Sequence, residues 1–279
     1  MKKIERNKMR NINLEAAIWY LFASPEFYEK AAEDADSTMK WFENLASARQ
    51  VSNFGRNNQI YETFKRLASN YRHGAALSRL GDYRLIFDTA GSVGGSARGI
   101  MEQPLNSWMT EKEFQEFDHG RLSRAMEYSN IITSTLHNAI WGAISYFSEN
   151  IKYPERRNDD DGFPGDDILG WYESYMKCNE NPVFARLPDR LRNYIIDESI
   201  SCHTGDEVPS TGVWYPDTGL EHHSLTFAIK GMRMQPVYKV IKTTEELRTE
   251  LQMFPPPQTV AIATTWYPLR VAPPSTAPN

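Results

Sequence analysis

The feature that most constrains this chain is a change in hydrophobic period near residue 200. Before that point, apolar residues recur every three or four positions, which is the spacing of an amphipathic helix face. After it, SLTFAIKG (224–231) alternates in the manner of a strand, and VYKVIK (237–242) and TVAIATTWY (259–267) are rich in β-branched and aromatic residues. The sequence therefore predicts an α+β protein, with a mostly helical domain over 1–200 and a small β-rich module over 201–279.

Periodicity also predicts the individual helices. An apolar stripe over 14–22 predicts the first helix, and Pro25 opens a new turn. A second helix is predicted to begin at Asp36-Ser37, and a third to end near Gly74. The other predicted helices are 120–150 (the longest), 167–177, 187–197 and 243–251, with a loop at 153–167 and a frayed, Pro-rich tail over 268–279.

Charge and hydropathy narrow the classes of partner. The chain has 31 Lys and Arg against 36 Asp and Glu, a formal net charge of −5. Dedicated nucleic-acid binders usually carry a basic surplus, so we expect no nucleic-acid partner and a mild bias towards a basic protein partner. The basic start MKKIERNKMR and the apolar AAIWYLFA resemble a signal peptide but lack its small-residue cleavage site. No stretch reaches the roughly 18 unbroken apolar residues of a membrane span, so we expect a cytoplasmic protein with no membrane partner.

Motifs for catalysis, cofactors or metals are incomplete. The Gly-rich run 91–99 lacks the Lys-Ser/Thr of a phosphate-binding loop, and we expect a plain loop or small residues at a close helix contact. The acidic run around Asp159 is not an EF-hand, because Arg157 and Ile168 occupy two of the ligand positions. None of the six histidines has metal-ligand spacing, and the two cysteines do not make a structural zinc site. We therefore predict no catalytic motif, no cofactor and no metal.

The densest motif lies in the C-terminal module. Its skeleton is a set of turn residues and one tryptophan: Thr204-Gly205, Pro209, Thr211-Gly212, Trp214, Lys230-Gly231, Met234 and Pro236. This pattern resembles the C-terminal module of the immunity protein 71 and 72 families of bacterial polymorphic toxin systems, over residues 203–240. Thr211 stands where those families have Ser, and Gln235 separates the Met from the Pro.

The skeleton also has a purely structural explanation. Gly205 and Gly212 can supply the positive φ that tight turns need. Pro209 and Pro236 would fix the chain direction at strand edges. We expect Trp214 to fill the small core and to donate its indole N–H to a carbonyl.

The resemblance implies an immunity protein that binds and neutralises a cognate secreted toxin, such as a type VI effector, without a cofactor or reactive residue. An acidic loop could then face a basic toxin, and its predicted interface residues are Asp159, Asp160, Asp161, Asp166 and Asp167. Two alternatives remain open at this point. One is an effector adaptor or chaperone, and the other is an enzyme with a scattered site, for example Asp118, His119 and Arg121.

Overall fold

The fold is given by a computed structural model, which describes residues 11–48, 54–103, 105, 108–142, 172, 187–218, 225–242 and 258–273. A helical body occupies the N-terminal part and an antiparallel sheet occupies the C-terminal part, which confirms the predicted α+β class. The described helices are α1 (Ile12–Phe22), α2 (Pro25–Ala48), α3 (Phe54–Ser78), α4 (Arg84–Gly91), α5 (Val93–Met101), α6 (Glu111–Gln115) and α7 (Ser123–His137). Two π-helical segments, here called π1 (Glu116–Leu122) and π2 (Asn138–Gly142), flank α7.

The start of α2 is as predicted, but its continuation is not. Pro25 occupies the first helical position, where its missing N–H costs nothing, and the Ser24 hydroxyl accepts from the Phe27 N–H at 3.1 Å. The helix then runs to Ala48 without a break. The predicted new start at Asp36-Ser37 is therefore wrong, because these two residues are polar surface positions within one long helix.

Two glycine signals predict chain breaks, and the structure uses them for close packing instead. α3 continues past Gly74, and a Cβ on Gly74 would lie 2.5 Å from Cγ1 of Ile86 in α4. The run 91–99 forms the end of α4 and most of α5 rather than a loop. The alternative of a close helix contact holds at Gly99, where a Cβ would lie 2.9 Å from Nε2 of Gln59.

The long helix predicted over 120–150 begins earlier than expected. Helix α6, π1, α7 and π2 follow one another as one helical rod from residue 111 to residue 142. A capping box formed by Thr110 and Glu113 fixes its start. Residues 143–150, the loop 153–167 and the helix 243–251 lie outside the described residues. Of the helix predicted over 167–177, only Tyr172 is described, and it is helical.

The described strands are β1 (Tyr194–Ile196), β2 (Cys202–His203), β3 (Gly212–Asp217), β4 (Thr226–Ala228), β5 (Val237–Lys242), β6 (Gln258–Ile262) and β7 (Thr265–Val271). Five of them form an antiparallel sheet in the order β1-β7-β3-β4, with β2 also paired to β7, and β5 and β6 form a separate pair. The strands predicted at 224–231 and 237–242 are confirmed. The strand predicted at 259–267 is in fact two strands, divided at Ala263 and Thr264.

Two predictions near the sheet are wrong for the same reason. The helix predicted over 187–197 is replaced by irregular chain and β1, and the start of the predicted frayed tail, 268–271, is the end of β7. β1 and β7 pair from Tyr194 with Val271 to Ile196 with Leu269. This pairing joins segments far apart in sequence, so no local periodicity reveals it. Because β1 precedes residue 200, the sheet crosses the predicted domain boundary, and the division into two domains stays a prediction.

Alternating residues of the sheet enter two separate cores. Val213, Phe227 and Leu269 belong to the main cluster, which they share with the helices. The opposite face carries a second, smaller cluster made of Cys202, Val208, Trp214, Ala228, Met234, Val237 and Trp266. We call this second cluster the module core. The sheet is thus buried on both faces, which is why Leu225 through Ile229 are all buried.

Helix α1 attaches the sheet to the helical body through three side-chain acceptors. The buried Glu15 carboxylate accepts from the Leu225 N–H at 2.8 Å, and the Asn13 amide oxygen accepts from the Tyr194 N–H at 2.8 Å. The Tyr20 hydroxyl accepts from the Val213 N–H at 3.3 Å. These bonds satisfy backbone donors where the sheet meets the helices.

Candidate functional site

The rod from residue 111 to 142 departs from α-helical geometry at π1. A π-turn holds one more residue than an α-turn, so side chains five positions apart come to share a face. Nη2 of Arg121 accordingly lies 2.9 Å from Oε1 of Glu116, and the Ser123 hydroxyl donates to the Asp118 carbonyl at 2.8 Å. Single π-turns are frequent at functional sites, so this face of the body is a candidate site.

An aromatic and cationic stack connects π1 to α2. The rings of Trp41 and Phe117 are nearly parallel, with centroids 6.1 Å apart and an interplanar angle of 6°. Cζ of Arg121 lies over the Trp41 ring, 4.8 Å from its centroid. Phe117 is fully buried while Trp41 is half-buried, so the stack leads from the core to the surface.

A groove of about 550 Å³ opens beside this stack, between α2 and π1. Besides Trp41 and Arg121, its lining consists of Glu33, Asp36, Ser37, Lys40 and Asn44. These five residues recur every three or four positions along α2 and therefore share one face of that helix. The groove combines carboxylates, cations, a hydroxyl, an amide and an indole, and its chemistry is that of a polar contact surface with one aromatic anchor.

Both carboxylates that line the groove form ion pairs at the surface. Glu33 lies 2.6 Å from Lys30 Nζ, and both side chains are largely exposed. Asp36 pairs with Arg72 of α3. Exposed pairs of this kind contribute only about 0–1 kcal/mol. An incoming partner could therefore replace these intramolecular contacts at little cost in free energy.

One ion pair lies deeper, beneath the groove. Nε of Arg124 in α7 lies 2.9 Å from Oδ1 of Asp34 in α2, and Asp34 is 2% exposed. Oδ2 of Asp34 has no hydrogen-bond partner among the described residues. Burial raises the pKa of Asp34 above its usual range, against the opposing effect of the Arg124 charge. The pair ties α2 to α7 directly behind the groove.

The catalytic alternative, Asp118, His119 and Arg121, falls on π1, and of these three residues only Arg121 lines the described groove. Nδ1 of His119 lies 3.6 Å from Oδ2 of Asp118, with the imidazole largely exposed. Arg121 lines the groove and contacts Glu116 and Trp41, whereas Asp118 and His119 are absent from its described lining.

The two halves of the C-terminal motif fold against each other. The Gly205 N–H donates to the Met234 carbonyl at 2.8 Å, and the Met234 N–H donates to the Asp206 carbonyl at 2.8 Å. The Lys230 N–H donates to the Thr211 hydroxyl at 2.9 Å. Thr204 also contributes, because its hydroxyl accepts from the Thr264 N–H at 3.0 Å. The spacing of the motif thus matches a network of backbone contacts.

Trp214 behaves as predicted. It is fully buried in the module core, and its indole N–H donates to the Ser210 carbonyl at 3.3 Å. Pro236 directly precedes β5, and Pro209 lies in the loop that leads into β3, so both stand next to strands.

The glycines of the motif divide into two kinds. Gly205 has φ +92°, as predicted, and Gly231 has φ +81°. Gly212 does not have positive φ, so that part of the prediction is wrong. It lies in β3, where a Cβ would come within 3.2 Å of the Tyr20 hydroxyl. The close approach of α1 therefore explains why a residue without a side chain occupies position 212.

The acidic loop proposed as an interface, Asp159, Asp160, Asp161, Asp166 and Asp167, lies outside the described residues. Among the residues that are described, no three His, Cys, Asp or Glu side chains are grouped as a metal site would require. Cys202 is a free thiol buried in the module core, and burial raises its pKa to about 11. It is therefore a packing residue and a poor nucleophile. Within the described helices, none combines the length and the apolar character needed to cross a bilayer.

No family model, no curated protein and no solved structure matches this chain.

Sequence reasoning did not find the groove, and the reason is physical. Trp41 occupies an apolar position of an amphipathic helix, and Arg121 stands among charged residues. In the sequence, Arg121 was named only in the catalytic alternative, and no local signal connects it with Trp41. The five-residue spacing of Glu116 and Arg121 would place them on different faces of an α-helix, and only the π-turn brings them together. A π-turn has no reliable sequence signature, so the signal lies in the tertiary packing of π1 against α2.

Proposed function

We propose that this chain is an immunity protein, which binds the toxic domain of a cognate secreted bacterial effector in the cytoplasm and neutralises it by direct contact. The proposal begins from the resemblance of residues 203–240 to the immunity protein 71 and 72 modules. It needs no cofactor and no reactive side chain. It needs a rigid body with a surface complementary to one partner, including aromatic or arginine anchors.

The observation that carries the proposal is the interlocking of the two motif halves. Gly205 and Met234 form backbone hydrogen bonds, the Thr211 hydroxyl accepts from the Lys230 N–H, and Trp214 fills the module core. A motif that in an enzyme would hold nucleophiles or ligands here holds turns and a core. This use of the motif suits a binding protein whose specificity resides in its surface.

The experiment is co-expression of this chain with the toxic C-terminal domain encoded beside its gene. We expect the wild-type chain to restore growth and to co-purify with a catalytically inactivated form of that domain. Trp214→Ala, which removes the centre of the module core, serves as a destabilised chain and should weaken both effects.

Two other outcomes would replace the proposal. A stable complex without growth rescue would favour an effector adaptor, because an adaptor binds the effector without blocking the toxic domain. Neither binding nor rescue by a folded wild-type chain would reject the immunity proposal.

A further inference from the structure

We infer that the groove between α2 and π1 is the surface that receives the toxin, and that it takes a protruding polypeptide loop bearing charged side chains of both signs. This inference rests on the proposed function and specifies where on the chain the partner binds.

The first step is the Trp41–Arg121 stack. Tryptophan and arginine are among the residues most enriched in the energetic centres of protein interfaces. Here Arg121 is already held in place by Glu116, at 2.9 Å, and by the Trp41 ring, at 4.8 Å. Because Arg121 is ordered before binding, little side-chain entropy remains to be lost when a partner contacts it.

The second step is the hydrogen-bonding capacity left at Arg121. Nε and Nη2 both contact Oε1 of Glu116, at 3.3 and 2.9 Å. Among the described residues, Nη1 reaches only the Ser37 hydroxyl, at 3.5 Å, which is the outer limit of a hydrogen bond. The guanidinium N–H groups that border the groove can therefore donate to a stronger acceptor, such as a carboxylate or a backbone carbonyl of the toxin.

The third step is the charge pattern, which separates classes of partner. Glu33 and Asp36 line the same groove as Lys40 and Arg121. The carboxylates would repel the phosphates of a nucleic acid, which bind best to uninterrupted basic surfaces. A groove open to solvent also suits a small molecule poorly, since small-molecule sites bury most of the ligand surface. A polypeptide loop with both charges matches the groove in sign and in shape.

The fourth step is the rigidity of the floor. The Asp34–Arg124 pair and the buried Phe117 ring lie behind the groove and join α2 to the rod of α7. A preformed surface on helices keeps its geometry when the partner is absent, as a rapid inhibitor requires.

The test uses two serines of the same helix. Ser37 and Ser47 are both exposed on α2, but only Ser37 lines the groove. Ser37→Trp fills the groove without removing a core contact, and Ser47→Trp is the matched control. With the inactivated toxic domain as probe in a titration of the full chain, we expect Ser37→Trp to weaken binding at least about tenfold and Ser47→Trp to stay within about twofold of wild type.

A second matched pair checks the stack itself. Arg84 lies over Trp141 of π2, with Cζ 5.5 Å from the ring centroid, so the chain holds another arginine–tryptophan contact of the same kind. Residues 121 and 141 are about 30 Å apart along the rod. Arg121→Ala should weaken binding at least about fivefold, whereas Arg84→Ala should not.

The outcomes separate this inference from the proposed function. If wild type binds and rescues but Ser37→Trp and Arg121→Ala bind as well as wild type, the groove assignment is overturned and the immunity function stands. Loss of binding in Arg84→Ala alone would place the interface at π2 and would also overturn the groove assignment. If the wild-type chain does not bind the toxic domain, both are rejected together.

Discussion

The C-terminal module and the groove on the helical body use their distinctive residues in opposite ways. In the module, the residues that stand out in the sequence have structural roles: Trp214 is fully buried and Gly205 takes a positive φ. In the groove, no sequence motif links the lining residues, yet Trp41 and Arg121 meet at the surface in a defined geometry. A dense motif can therefore mark a demanding fold, while an ordered surface stack of aromatic and cationic side chains can form where no motif exists.

The physical basis of this difference is the size of the two cores. Among the described residues the module core contains seven buried side chains, a small core in which each turn and each contact contributes a large share of the stability. The helical body has a much larger core, shared with one face of the sheet. Its surface positions can consequently vary, because a substitution there costs little folding free energy.

The strongest test of this comparison exchanges one tryptophan in each region for alanine. Trp214→Ala removes a fully buried ring from the module core and should cost about 3–5 kcal/mol of unfolding free energy. Trp41→Ala removes a half-buried ring, and its stacking and cation–π contacts are each worth about 1 kcal/mol. Urea unfolding followed by circular dichroism measures both. Equal losses for the two variants would remove the distinction between a folding motif and a surface site.

A smaller effect tests whether the motif glycines act through folding alone. Gly231 has φ +81°, and a Cβ added there would meet no atom within 4 Å, so Gly231→Ala should cost about 1–2 kcal/mol through backbone conformation only. Gly212→Ala should instead push against the Tyr20 hydroxyl. Removing that hydroxyl in Tyr20→Phe should relieve part of the Gly212→Ala cost and none of the Gly231→Ala cost, in a double-mutant cycle.

The same variants also connect folding to binding. If the module is a scaffold, folded Gly231→Ala should bind the toxic domain with wild-type affinity. An affinity loss in Gly231→Ala larger than its stability loss would place the toxin on the module, contrary to the comparison.

Much of the fold was predictable from the sequence because local signals and tertiary structure agree there. The helical period of α1 and the Pro25 start of α2 are local properties, and so is the alternation in β4 that sends Phe227 to one core and Ala228 to the other. The burial of Trp214 was predictable because a large aromatic side chain in a small module avoids solvent only by filling the core of that module.

The failures have a common cause in contacts between distant residues. Gly74 was predicted to end a helix, but here it permits Ile86 of α4 to approach. β1 forms because β7 is available as a partner, and Pro268 is accepted in β7 next to β3. The groove could not be predicted for the same reason, because the contact between Trp41 and Arg121 joins residues distant in sequence and depends on the π-turn.

The smallest effect compares the pH dependence of two carboxylates, one beneath the groove and one beside the sheet. Burial raises the pKa of Asp34 beneath the groove, so the folded state holds its proton more tightly than the unfolded state. The stability that wild type gains there is present below the ordinary pKa of 3.8 and is lost as pH rises through the raised pKa. The destabilisation caused by Asp34→Asn should therefore be greatest in acid and shrink towards neutral pH.

Asp197, which follows β1, provides the control of opposite sign. Hydrogen bonds from the Ser199 hydroxyl, at 2.6 Å, and the Ser199 backbone N–H lower the pKa of Asp197. Its contribution is present above the ordinary pKa and is lost as pH falls through the lowered one, so the effect of Asp197→Asn should grow as pH rises. Urea unfolding from about pH 3 to pH 7 measures both variants against wild type. If the destabilisation by the two variants changes with pH in the same direction, Arg124 holds Asp34 as a carboxylate and its charge outweighs the effect of burial. The floor of the groove would then be stabilised by charge at neutral pH.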